Sequence, residues 1–172
     1  KNVKNFFFET LKLAPLIGIK FISIPLLEDM SIRNKEVFIE LKDLLIEVTK
    51  KFEIEILIES DLTNHENLNF IESIGSEKIN ILFDTGNSTK NNFNFEDEFT
   101  MFHNHIKEIH IKDYCLREKK SVRLGSGNTN LGYIFSTLKK FNWEGHIILE
   151  TPIFKNWFKE ASLNFHYIEN IY

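Results

Sequence analysis

The sequence predicts an α/β protein, a series of strand-helix units around a parallel sheet. Short β-rich apolar runs alternate with longer amphipathic segments along the chain, the pattern of βα repeats. No linker or low-complexity stretch interrupts the series, so residues 1–172 read as one domain. Four of the predicted strands run into a side chain capable of binding metal. In a parallel sheet that end is where loops converge and ligands bind.

The elements follow in order. Residues 5–17 read as a helix, with Pro15 near its end and Gly18 as its C-cap. Lys20 to Leu26 (KFISIPL) is a first strand. Asn34 to Phe52 carries Val37, Phe38, Leu41, Leu44, Leu45 and Val48 at helical spacing. Glu55 to Glu59 (EILIE) is a second strand, and Asp61 to Asn64 supplies cap chemistry for a helix over about 65–74. Ile79 to Phe83 (INILF) is a third strand running into Asp84-Thr-Gly-Asn87. The polar stretch Ser88 to Asn94 reads as a loop, and Phe95 to Ile106 as a helix. Lys107 to Lys112 (KEIHIK) is a fourth strand, followed by a charged loop over Arg117 to Arg123, the run Leu124-Gly-Ser-Gly-Asn128 and a helix over about 130–141. Gly145 to Glu150 (GHIILE) is a fifth strand, and Trp157 to Ile168 a last helix.

The 172 residues suffice for a real core, and 42% hydrophobic with 27% charged residues is an ordinary globular composition. A net charge of -4 without a basic run leaves no electrostatic footprint for nucleic acid. No apolar run approaches the ~20 residues that span a bilayer, and no signal-peptide layout opens the chain. The single Cys115 cannot form an internal disulfide, so a cytoplasmic setting is the expectation. The chain starts at Lys1 rather than Met, which predicts a processed, trimmed or incomplete sequence.

Glu59, Asp84, His110 and Glu150 close four successive strands, at spacings of 25, 26 and 40 residues that match one ligand per βα unit. Any one of them would be unremarkable as a cap or a solvated loop residue. Together they put charge beside apolar runs, where it needs a partner or a metal. Three carboxylates and one imidazole form a hard, oxygen-rich set suited to one divalent ion, Mn²⁺, Mg²⁺ or Co²⁺, with catalytic Zn²⁺ as the further candidate. Asp113 is placed to orient the following loop or to cap a turn. The Gly-rich loop either presents backbone N–H groups to an anionic or hydroxylated substrate, with Arg123 as a direct contact, or is a simple tight turn; Lys112 points toward the same mouth, as a contact to substrate oxygen or as a solvated lysine. His103 and His105 fall on the far side of their unit, and His146 reads as a packing residue.

The ordered series Ile-Leu-Ile-Glu59, Leu-Phe-Asp84-Thr-Gly-Asn87, Ile-His110-Ile-Lys-Asp113, Leu-Gly125-Ser-Gly127 and Ile-Leu-Glu150-Thr resembles the xylose isomerase-like TIM barrels over about residues 18–152. The resemblance implies a (β/α)8 barrel in which these motifs belong to the last four strands. It also implies that Glu59, Asp84, His110 and Glu150 bind one metal. Five strands are found where the family has eight, and a full barrel needs ~250 residues. The chain is therefore expected to be a partial barrel lacking the first three βα units, able to associate with a missing N-terminal segment or with further copies of itself.

The activity implied is that of a sugar or sugar-phosphate isomerase or epimerase working through an enediolate, with Glu59 and Glu150 as base and acid on opposite faces of the substrate. A truncated chain could keep the ligands and lose turnover. A dehydratase would use related chemistry. The apurinic endonucleases of the same superfamily carry His where this chain has Asn87, and an Asp-x-His pair where it has Lys120-Ser-Val-Arg-Leu124. Asn87 also departs from a substrate-touching His of many epimerases in the family, which makes it a candidate substrate contact of altered chemistry.

Overall fold

The computed structural model describes residues 2–153 and 155–172, with backbone only at Asn2, Val3 and Asn64. The chain divides into two compact units, the first ending at Leu82 and the second running from Phe83 to Tyr172.

In the first unit, α1 (Asn2–Leu13) tightens into a 3-10 turn over Ala14–Ile17, where Pro15 enters, and stops at Gly18, whose φ of 82° suits glycine. Next come β1 (Phe21–Leu26), α2 (Lys35–Lys51), β2 (Glu55–Ser60), α3 (Asn64–Ile74) and β3 (Ile79–Asp84), whose last two residues open the second unit. β1 pairs with β2 and β2 with β3, both parallel, with Pro25 opposite Glu59 and Leu57 opposite Asn80. α2 begins where the Asn34 side chain accepts the Glu36 N–H. α3 begins where Glu66 reaches back to the Thr63 N–H. Leu45 and Val48 of α2, Phe70 and Ile71 of α3, and Ile56 and Ile58 of β2 are buried, and the Phe38 and Phe70 rings meet edge to face at 5.2 Å. All six residues of β3 are buried, as expected of a parallel strand covered on both faces.

The second unit contains α4 (Thr85–Lys90), α5 (Phe95–Phe102), β4 (Ile106–Ile111), a hairpin of β5 (Asp113–Cys115) and β6 (Lys120–Val122), α6 (Leu131–Lys140), β7 (His146–Leu149) and α7 (Trp157–Ile171). β4 and β7 are parallel, with His110 opposite Ile148, and the Glu150 N–H extends the ladder by donating to the Ile111 carbonyl. Phe99, Phe102, Phe135, Ile109 and Leu138 fill the core.

The five strand-helix units expected from the sequence are present. Four local readings are corrected. The stretch expected as a loop from Ser88 starts as α4, because the Asp84 side chain caps the segment and Thr85, Gly86 and Ser88 are buried against the structure around them. The charged loop over Arg117–Arg123 contains β6, antiparallel to β5. The α5 helix also ends at Phe102, four residues earlier than expected, where the His105 N–H turns back to the Phe102 carbonyl. His146 is exposed on its strand rather than packed in a core. Among the described residues, no helix is long and apolar enough to cross a membrane.

Candidate metal centre

β4 alternates Glu108, His110 and Lys112 with buried Ile109 and Ile111, so the three polar side chains leave the strand on one face. β3 delivers Asp84 at its last position, and β7 delivers Glu150 one residue past its end. Asp84, His110 and Glu150 each offer a ligand atom, and these atoms lie within 4.8 Å of one another. Glu59 stands at the fifth of the six positions of β2, half-buried, in the first unit.

The motif Asp84-Thr-Gly has a separate job for each residue. Asp84 Oδ1 accepts the Asn87 N–H at 2.8 Å, which caps α4 and turns Oδ2 toward β4. Thr85, fully buried, donates its hydroxyl to the Lys112 carbonyl at 2.8 Å and accepts the Lys112 N–H at 2.9 Å, a reciprocal pair that fixes the backbone below the site. Gly86 leaves room for the Lys112 side chain, since a Cβ there would come within 2.7 Å of its Cγ and Cδ.

The lysine is the centre of the charge arrangement. Its Nζ lies 2.7 Å from Asp84 Oδ2 and 2.7 Å from Glu150 Oε1. Asp84 Oδ2 is buried, and the Lys112 ammonium is the cation set against it. One cation thus serves two carboxylates. Burial pushes the Asp84 carboxyl up, against the pull of the Lys112 charge. At Glu150 burial also acts upward, but the hydrogen bond and charge of Lys112, aided by His110, hold the group below its ordinary value. Burial works against the Lys112 charge, yet Asp84 and Glu150 together keep its affinity for its proton above normal.

His110 is held on both sides, Nδ1 at 2.8 Å from Glu150 Oε2 and Nε2 at 3.2 Å from Glu108 Oε1. Glu108 is buried and was missed in reading the sequence. The signal was there: in KEIHIK the polar residues repeat every second position, which puts Glu108 on the face of His110.

These residues fit a divalent cation. Two carboxylates and an imidazole converge, and Asp84 presents a buried oxygen whose charge is met by an ammonium that sits between the acids. Glu108 is placed to hold the ring of a ligating His110.

The remaining expected residues are Asn87, whose N–H is bonded to Asp84, and Arg123. Asn87 sits in the first turn of α4, half-buried. Arg123 directs Nε and one terminal nitrogen to the Glu160 carboxylate at 2.7 and 2.8 Å. The Gly-rich loop does not offer its backbone to a ligand as expected: the Ser126 N–H goes to the Arg123 carbonyl, the Gly127 and Thr129 N–H groups to the buried Asp113 carboxylate, and the Asn128 N–H to the Tyr114 carbonyl. Asp113 therefore does orient the loop.

Comparison with known proteins adds three findings. Residues 32–169 match the family described as the xylose isomerase-like TIM barrel. A Haemophilus influenzae protein assigned by name as an L-ribulose-5-phosphate 3-epimerase, SgbU, is 34% identical over 89 residues, 48% of this chain and 31% of its own length. Two solved structures share the fold. The D-allulose 3-epimerase of a Methylomonas species, in complex with D-allulose, has a TM-score of 0.78 at 13% identity, covering 98% of this chain and 68% of that one. The IOLI protein, with a binding zinc atom, has a TM-score of 0.75 at 15% identity, covering 97% and 66%. The aligned region thus spans about a third of SgbU and about two thirds of the two structures.

Proposed function

The chain belongs to the xylose isomerase-like TIM barrels, and from that premise we propose that residues 1–172 form one part of a metal-dependent sugar or sugar-phosphate isomerase or epimerase. The observation that carries the reading is the convergence of Asp84, His110 and Glu150 at the carboxyl ends of their strands. The sugar class comes from the relatives named as epimerases, and the net charge of -4 agrees with a small-molecule substrate.

Asp84, His110 and Glu150 would hold one divalent ion, Mn²⁺, Mg²⁺, Co²⁺ or Zn²⁺, and the family resemblance assigns Glu59 as the fourth ligand. When bound, such an ion supplies positive charge beside a substrate carbonyl and its neighbouring hydroxyl. The proton work falls to the side chains. Glu150 and Glu59 are assigned as the proton-transfer pair, one carboxylate removing the C–H proton next to the carbonyl. The other returns a proton to the opposite face of that carbon in epimerisation, or to the adjacent carbon in isomerisation. One proton leaves carbon and one returns, so no co-reactant is consumed. Glu108 keeps the His110 ring from rotating. Asn87 and Lys112 are assigned to substrate oxygens, and Arg123 joins them only by exchanging its Glu160 partner. Turnover is assigned to a closed barrel.

Calorimetric titration of Mn²⁺ into the 172-residue chain is expected to reveal one site, lost in His110→Ala and in Glu150→Gln. Binding unaltered in both variants would sink the site. Solvent deuterium uptake at the carbon next to a ketose carbonyl, followed by NMR with Mn²⁺ present, tests the chemistry; metal binding without any uptake by the closed barrel would remove the epimerase reading.

A further inference from the structure

We propose that Lys112 is a built-in counter-ion of the metal centre, which holds the carboxylates together in the absence of metal and is displaced when a divalent cation binds. The inference rests on the metal reading above and extends it to how the site is governed.

Three observations support it. The Lys112 ammonium sits 2.7 Å from Asp84 Oδ2 and 2.7 Å from Glu150 Oε1, oxygens that belong to two of the three residues grouped for metal binding. A divalent ion taking those oxygens would lie within a few ångströms of a full positive charge, and a repulsion of that range in a half-buried site is substantial. Both cations cannot keep the same oxygens. Second, Asp84 Oδ2 is buried, and the Lys112 ammonium at 2.7 Å is the cation set against it. An oxygen served by one mobile monovalent cation is open to exchange for a stronger one. Third, the lysine side chain keeps 15% of its surface exposed, which gives the ammonium an outlet to solvent. A flexible four-carbon stem ending in a compact charge can withdraw along such a path, as a planar guanidinium forked onto both acids could not.

Metal entry is therefore an exchange of one cation for another. The buried Asp84 carboxylate is never left facing Glu150 without a cation, an arrangement whose repulsion and desolvation would be costly. The displaced ammonium remains at the mouth, free to meet a substrate oxygen once metal is bound, so substrate capture is coupled to metal loading.

The test is calorimetric titration of Mn²⁺ into the native chain, Lys112→Met and His110→Ala, with circular dichroism confirming that each is folded. The expected result is tighter binding in Lys112→Met, by about tenfold or more, and loss of binding in His110→Ala. A purely structural lysine, holding Asp84 and Glu150 in place for the metal, would give the reverse. Equal or weaker affinity in Lys112→Met, with His110→Ala still abolishing binding, overturns this inference and leaves the site intact. Binding in neither native chain nor Lys112→Met overturns the site reading itself, and the inference with it. A second measurement needs no variant: acetylation of Lys112 in the native chain, read by peptide mass spectrometry, should rise on adding Mn²⁺. Unchanged or reduced labelling in the presence of bound metal would also count against displacement.

Discussion

Glu98 in α5 is 5% exposed, and its carboxylate is joined by the Ser88 hydroxyl. Burial raises its pKa from the ordinary 4.5 to about 7, more than the Ser88 hydrogen bond can offset. A carboxyl whose folded pKa lies above its unfolded one binds its proton more firmly in the folded state. Its contribution to stability is therefore full below about 4.5, declines as pH rises, and is gone above about 7. The size is on the order of 3 kcal/mol, from ~1.4 kcal/mol for each unit of displacement. Glu98→Gln keeps the shape and removes the ionisation. Urea denaturation at pH 5 and pH 8 should show the variant gaining stability relative to the native chain between the two conditions. A difference that does not change with pH would mean that Glu98 ionises freely in the folded state.

The helices and parallel strands were legible in the sequence because each is announced by its own chemistry: Pro15 and Gly18 end α1, and continuous apolar runs mark β2 and β3. The strand-end acids and His110 were legible for the same reason, each being a polar residue at the end of an apolar run. Elements set by tertiary contacts were not. The α4 segment, Thr-Gly-Asn-Ser-Thr-Lys, has poor helix propensity, and it forms on the Asp84 cap and the Thr85–Lys112 pair. The β5–β6 hairpin lacks a glycine turn and places Lys119 at φ 52° instead. The Gly-rich loop that follows the hairpin is held by Asp113, whose Oδ1 would lie 2.2 Å from a Cβ at Gly127, with the Tyr114 carbonyl oxygen at 2.8 Å. The second of these is backbone and cannot swing aside. Gly127→Ala should therefore break the Asp113 contacts and destabilise by roughly 1–3 kcal/mol, measured by urea denaturation, with hydrogen exchange rising at Gly127 and Thr129. Unaltered exchange at both amides would show that Asp113 is not what holds the loop.

At the scale of the molecule, the notable feature is how much apolar surface lies open. Phe6, Leu16 and Ile17 of the first unit are about three-quarters exposed, as are Ile153, Trp157 and Phe158 of the second to a similar degree. Ile147 and Ile148 of β7 are 39% and 45% exposed, on a strand that stands at the end of its sheet. Isolated exposed apolar residues are ordinary, but an exposed strand edge that carries apolar side chains pairs and associates. The chain covers about two thirds of structures that share its fold, and less burial per residue goes with a smaller share of the fold. The 172-residue chain is accordingly expected to self-associate as its concentration rises. Ile147 is the place to test this, since in the β4–β7 register it lies opposite Ile109 while its neighbour Ile148 lies opposite His110. A charge at Ile147 therefore blunts the edge from the face away from the metal centre. Ile147→Lys should lower the average mass in sedimentation across a dilution series and leave Mn²⁺ affinity near the native value. A native chain that stays monomeric throughout the series would mean that the exposed apolar groups are too dispersed to act as a surface. Equal association in the variant would move the contact to α1 or α7.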